Sequence, residues 1–185
     1  MASVNIKGTP VNGLLDFVRS ELTAEQLDAV IARTPEAEQK YWKSHVLAHE
    51  VVPLEAANRF TVAAAEAKGE PIRTFAKRAG RFGAEIGLKT VYKFVLMVMS
   101  VEGVLKKAPF MWTRVYDGGK IEVESKSNTA VITVTEFPSH VAVCGRITGW
   151  FEVIGERTGA KNIRLTHTTC AAEGGAKCVW NFTWE

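Results

Sequence analysis

Cysteine is scarce in this chain: three among 185 residues. An odd count cannot close into a disulfide framework, so the thiols are expected to be free or metal-bound in a reducing compartment. Long apolar runs are also scarce. The longest, Phe94 to Val101, is broken by Ser100 and followed by Glu102, far short of a membrane span. The opening, Met1-Ala2-Ser3-Val4-Asn5-Ile6-Lys7, is too polar for a secretory signal. A cytoplasmic protein with no membrane association is therefore expected. Excess charge is lacking too. The formal net charge of +3 gives no broad field for nucleic acid. Neither Gly80-x-x-Gly83 nor Gly118-Gly119 is followed by Lys-Ser/Thr, which excludes a phosphate loop. No Ser-His-Asp order is visible. A cysteine nucleophile at Cys170 beside His167 would lack a visible oxyanion donor. No catalytic residue is assigned.

What is present is enough apolar material, 46% of residues, for one domain over 1–185. Its first part, 1–108, reads as mainly helical. Leu14, Leu15, Phe17 and Val18 make an apolar face. Thr23 with Gln26 is a capping box, and a helix over Glu38 to His49 would run up to Val51-Val52-Pro53. Pro53 opens a helix that Gly69 stops. Another begins near Pro71 and carries Arg73, Lys77, Arg78 and Arg81, read as a charged solvent face. The most apolar helix is expected over Thr90 to Leu105.

From Pro109 the pattern changes to a sheet-rich part, 109–185. Met111 to Tyr116, Lys120 to Glu124 and Ala130 to Thr135 read as three antiparallel strands. A long helix follows Pro138-Ser139. Its stripe of Cys144, Ile147, Phe151 and Ile154 faces inward, and Gly159 ends it. Asn162 to Thr169 and Cys178 to Trp184 form the last hairpin around Gly174-Gly175. The expected fold is α+β: N-terminal helices packed on an antiparallel sheet of about five strands, with a long helix before the last hairpin.

All three cysteines fall in that second part, at 144, 170 and 178, with His167 three residues before Cys170. Three thiols and an imidazole complete a tetrahedral zinc shell. His167 and Cys170 are an odd number of positions apart and face opposite sides of a regular strand, so the strand must bulge or finish between them. The competing reading is a core that packs three small thiols. His45 and His49, four apart, could share a helix face, but no third ligand accompanies them.

Cys144-Gly145-Arg146 with Gly149-Trp150, then His167-Thr168-Thr169-Cys170, Gly174-Gly175 and Cys178-Val179-Trp180, resemble the 4-vinyl-reductase domain. That small-molecule-binding domain is related in fold to the haem-NO-binding domain and to TRAPP trafficking subunits. Lys7-Gly8 and Asn12-Gly13-Leu14-Leu15 also resemble a myxobacterial paralogous family of similar length. The resemblance implies a metal held by Cys144, Cys170 and Cys178, with His167 where the family has a carboxylate. It implies a non-enzymatic regulatory module binding an apolar small molecule, with structural zinc beside the pocket. Phe94, Trp112, Tyr116 and Trp150 are candidate pocket residues. No Tyr-x-Ser-x-Arg motif is found, so haem is not expected. The alternative is an adaptor of the same fold, recruiting a protein partner or forming a homodimer. A metalloenzyme would need an open metal position.

Overall fold

The computed structural model describes residues 3–87 and 99–185. The expected helix start at Thr90 and Phe94 lie outside the described residues. The helical part comprises α1 (Gly8–Glu21), α2 (Ala24–Ala32), α3 (Glu36–Lys43), α4 (Leu54–Lys68), α5 (Ile72–Gly87), α6 (Val101–Leu105) and α7 (Ala108–Val115). The local signals act as expected at two ends. Thr23 N–H donates to Gln26 Oε1 and Gln26 N–H returns to Thr23 Oγ1, closing the capping box of α2. Gly69 stops α4 at φ 70°, a backbone that a Cβ disfavours.

The main sheet holds β3 (Lys120–Lys126), β4 (Thr129–Thr135), β5 (Arg164–Thr169) and β6 (Cys178–Thr183). All neighbours are antiparallel, in the order β3-β4-β6-β5. A long helix, α8 (Val141–Arg157), comes before the last hairpin. The class is α+β, as expected, with four strands in the main sheet. The difference is Met111 to Tyr116: Met111 to Val115 is helical, and Tyr116 ends that helix in extended conformation. Met111, Trp112, Val115 and Tyr116 also fit i, i+1, i+4, i+5 spacing, and Pro109 stands in the first turn of α7, where it needs no donor. A six-residue stretch cannot separate the two periods by itself.

A second difference lies upstream. Helix α3 ends at Lys43, so His45 and His49 lie in a connection and share no helix face. Val51–Pro53 is a short strand, β2, paired with β1 (Asn5–Lys7) as a separate two-stranded ladder.

Helix α8 is the centre of the molecule. One side lies on α5 at backbone contact: a Cβ on Gly80 would fall 2.0 Å from the Arg146 carbonyl oxygen, and one on Gly149 would fall 2.0 Å from that of Lys77. The opposite side meets β6, where Phe151 packs edge-on against Trp180. Cys178, Trp180 and Phe182 all face inward from β6 and are buried, as alternation requires. The basic residues of α5 are consumed by ion pairs. Arg73 meets Glu173, Lys77 meets Glu152, Arg78 meets Glu21 and Glu70, and Arg81 meets Glu152 and Glu156. Among the described residues no helix is long and apolar enough to cross a membrane.

Candidate metal centre

Cys144 sits in the first turns of α8, facing the sheet. His167 lies near the end of β5, Cys170 just beyond it, and Cys178 opens β6. The β5–β6 register shifts between His167 and Thr169. That bulge removes the odd-spacing obstacle and turns both His167 and Cys170 toward α8. The connection then folds back tightly, with the Glu173 and Gly175 N–H groups both donating to the Cys170 carbonyl oxygen. Gly175 permits it, because a Cβ there would fall 2.9 Å from that oxygen.

The four donor atoms of Cys144, His167, Cys170 and Cys178 lie within 4.8 Å of one another. The sulfurs of Cys144 and Cys178 are 3.7 Å apart, and those of Cys170 and Cys144 are 3.9 Å apart. A tetrahedral ion with metal–sulfur bonds of about 2.3 Å sets its sulfurs about 3.8 Å apart. All three thiols are free and buried. His167 Nε2 is buried without a hydrogen-bond partner among the described residues, although buried polar atoms are ordinarily satisfied.

The surroundings favour negative sulfur. Cys178 Sγ is met by the Ser139 hydroxyl at 3.2 Å and the Ala171 N–H at 3.4 Å. Its hydrogen bond with Cys144, joined by those from Ser139 and the Ala171 N–H, holds the Cys178 thiol well below its ordinary range against the cost of burial. The Cys144 thiol is pushed up by the same Cys178 contact and by burial. Two thiolates so close in a dry site cannot both be stable without a cation between them. Arg73 closes the outer side: its guanidinium lies 3.1 Å from His167 Nδ1, 4.0 Å from Cys170 Sγ and 2.6 Å from Glu173 Oε1.

The candidate pocket residues are placed differently from one another. Trp112 and Tyr116 pack on each other and on Phe137, with ring centroids 4.6 to 5.0 Å apart. They fill core, and burial raises the Tyr116 phenol to about 12. Trp150 is half-buried on α8. A cleft of about 570 Å³ instead lies between α2, α4 and the Pro138–His140 turn, with Arg33, Asn58, Arg59, Ala63, Ser139 and His140 among its walls. Nothing in the residue pattern pointed to this cleft, since its walls come from three distant segments. Ser139 joins it directly to Cys178.

Beneath the cleft lies Arg146, 8% exposed. It donates to Thr61 Oγ1 at 2.5 Å, Asn58 Oδ1 at 2.9 Å and the Ala57 carbonyl at 3.3 Å. Burial lowers its pKa.

No protein-family model matches this chain, and no curated protein matches it. Solved structures do. An H-NOX protein from S. oneidensis in the Fe(II)NO ligation state superposes with a TM-score of 0.76 at 14% identity, covering 97% of this chain and 99% of that one. An Fe(II) unliganded H-NOX protein from K. algicida gives 0.68 at 14%, covering 97% and 96%. An oxygen-binding H-NOX domain related to soluble guanylate cyclases gives 0.71 at 9%, covering 97% and 95%.

These comparisons correct the expectation about haem. The matched structures are described by their iron ligation states, and one by haem redox potential tuned through porphyrin distortion. The expected absence of haem therefore does not stand for a chain of this shape. The Cys3His group itself does not fit a macrocycle, because four donors converging on one point leave room only for a bare ion. The other histidines are set apart from it: His45 pairs with Asp16, His140 caps α8 and His49 is exposed. At these identities the likeness shows the fold, and the fold is that of the H-NOX domains.

Proposed function

We propose that this chain is a ligand-sensing regulatory module of one domain, 1–185, pinned by a structural zinc on Cys144, His167, Cys170 and Cys178. The observation that carries it is the buried Cys3His cluster, with sulfur spacings of a tetrahedral thiolate site and an orphaned imidazole nitrogen. Zinc suits this soft donor set and is closed by four protein ligands, so the metal holds structure and performs no catalysis. It would join α8 to the β5–β6 hairpin. The 4-vinyl-reductase likeness of the same residues agrees with this role.

The small molecule would enter the cleft between α2, α4 and Pro138–His140. Its volume suits a compact organic ligand. Its wall residue Ser139 touches Cys178, and His140 caps the helix that carries Cys144. Occupancy of the cleft would thus be felt at the metal centre. Elemental analysis of purified protein tests the metal. One zinc per chain, lost in Cys170→Ser together with thermal stability, is the expected result. Metal-free protein of unchanged stability would end this reading.

A second reading rests on the fold. The H-NOX structures cover 97% of this chain, and a haem-dependent sensor of a small gaseous ligand follows from them. Titration with hemin decides it: a saturable Soret shift at one haem per chain supports it. A third, adaptor reading has the same domain recruit a protein partner, with or without a ligand.

A further inference from the structure

On the α7 side of the molecule, away from the thiols, lies a recess of about 540 Å³ lined by Lys7, Thr9, Ala48, Phe110, Thr113 and Arg114, together with His49. It is walled by β1, the start of α1, the connection before β2, and α7. Phe110 is 60% exposed. Leu47, next to Ala48 at the rim, is 64% exposed, and Val51, paired with Lys7 across the β1–β2 ladder, is 42% exposed. These are three of the large apolar side chains left in water, gathered at one place. A grouped apolar surface with a polar border marks an interaction site more often than scattered ones do.

The residues that line the recess carry charge of one sign. Among the described residues, no Asp or Glu lines the recess. Arg114 has no carboxylate within salt-bridge distance among the described residues; its guanidinium lies 4.9 Å from the centre of the Phe110 ring. Residues 88–98 contain no Asp or Glu. Asp117 feels Lys7, but its oxygens are taken by the Asn5 backbone and side-chain amides at 2.7 Å. Glu50 Oε2 is turned back toward the Leu47 N–H at 3.3 Å. The α5 cations Arg73, Lys77, Arg78 and Arg81 are paired with carboxylates, whereas Arg114 lies beside an exposed aromatic ring.

We propose that this recess docks an acidic segment of another protein, with one apolar side chain seated against Phe110 and carboxylates on Arg114 and Lys7. The proposal gives the partner in the regulatory reading a binding face and a chemistry. Arginine and aromatic residues at the centre of an interface carry most of its energy, and complementary charge speeds and orients the encounter. A concave site favours an inserted side chain over a flat lipid surface. A second copy of this chain would have to offer an acidic face to the same recess.

The test uses the full chain and a fluorescent peptide with a central Leu-Phe pair flanked by glutamates. The lysine-flanked counterpart and phosphatidylserine vesicles run beside it. Saturable binding of the glutamate peptide is expected, weakened at least about fivefold by Phe110→Ala and by Arg114→Glu, and reduced by salt. Phe110 and Arg114 are both exposed, so the variants keep the fold, which circular dichroism checks. No binding, equal binding of the lysine peptide, or indifference to both variants would overturn the proposal. So would vesicle binding or self-association that depends on the same residues. Metal content is read in each variant; it is expected unchanged, which separates failure here from failure of the zinc reading.

Discussion

The His167 imidazole lies flat on the Trp180 indole, with ring centroids 4.2 Å apart and planes 6° from parallel. They are direct partners across the β5–β6 ladder. Trp180 is fully buried, and its Nε1–H donates to Thr148 Oγ1 at 2.8 Å. The indole is thus fixed from α8, and it fixes the plane in which the imidazole nitrogen is presented to the thiols. Groups that orient a metal ligand weigh on affinity by about 10- to 100-fold. Trp180→Phe, which keeps an aromatic but loses the anchor to Thr148, is expected to weaken zinc about tenfold. Competition with a chromogenic chelator measures this. Unchanged affinity would show that the stack orients nothing.

His140 makes stability depend on pH. Its Nδ1 accepts the Ala142 N–H at 3.1 Å and caps α8. Burial, aided by the charge of Arg146, lowers its pKa below the ordinary 6.5. The folded state therefore binds fewer protons than the unfolded chain just below that value. The stabilisation is complete above about pH 6.5 and is lost as pH falls toward the folded value. Loss of a cap costs about 0.5–2 kcal/mol. Urea denaturation between pH 7.5 and 5 should show this slope. His140→Asn, a cap that does not titrate, should flatten it.

Arg146 is a buried cation held only by neutral acceptors. Arg146→Met keeps the chain length and leaves Asn58 Oδ1, Thr61 Oγ1 and the Ala57 carbonyl without their donor. An unsatisfied buried group costs about 1–3 kcal/mol, so a loss of at least that size is expected in urea. A gain in stability would show that desolvation of the charge outweighs its hydrogen bonds.

The contact of α5 with α8 depends on bare backbone. Gly149→Ala drives a methyl into the Lys77 carbonyl, and overpacking of this kind costs about 1–3 kcal/mol or more. Gly83 lies on the same helix α5, and among the described residues nothing comes within 4 Å of where its Cβ would fall. Gly83→Ala should instead stabilise by roughly 0.5–1 kcal/mol. Thermal melts of the two variants side by side read the sign directly.

The α+β class was legible because its signals are local. The Thr23–Gln26 box, the Gly69 stop, the alternation of Cys178, Trp180 and Phe182, and the long helix through Cys144 need only nearby residues to act. The meeting of Cys144, His167, Cys170 and Cys178 was legible for a related reason, since thiols and imidazoles are few and clustered in sequence. The strand placed on Met111 to Tyr116 failed because a short apolar stretch satisfies two periods at once. Packing of Trp112 and Tyr116 on Phe137 decides between them. The same packing left Trp112 and Tyr116 in core and moved the open space to a cleft that no local pattern encodes.

By itself, then, the sequence determined most of the segments that become helix or strand, and which four side chains are of metal-ligand type. Propensity, capping and donor type belong to individual residues and their near neighbours. Only the tertiary structure decided that the β5 bulge turns His167 and Cys170 to one side, and that Trp180 holds the imidazole plane. It alone brought Phe110 and Arg114 to the same recess as Lys7. Each of these is a meeting of surfaces distant along the chain, fixed by the burial of other residues.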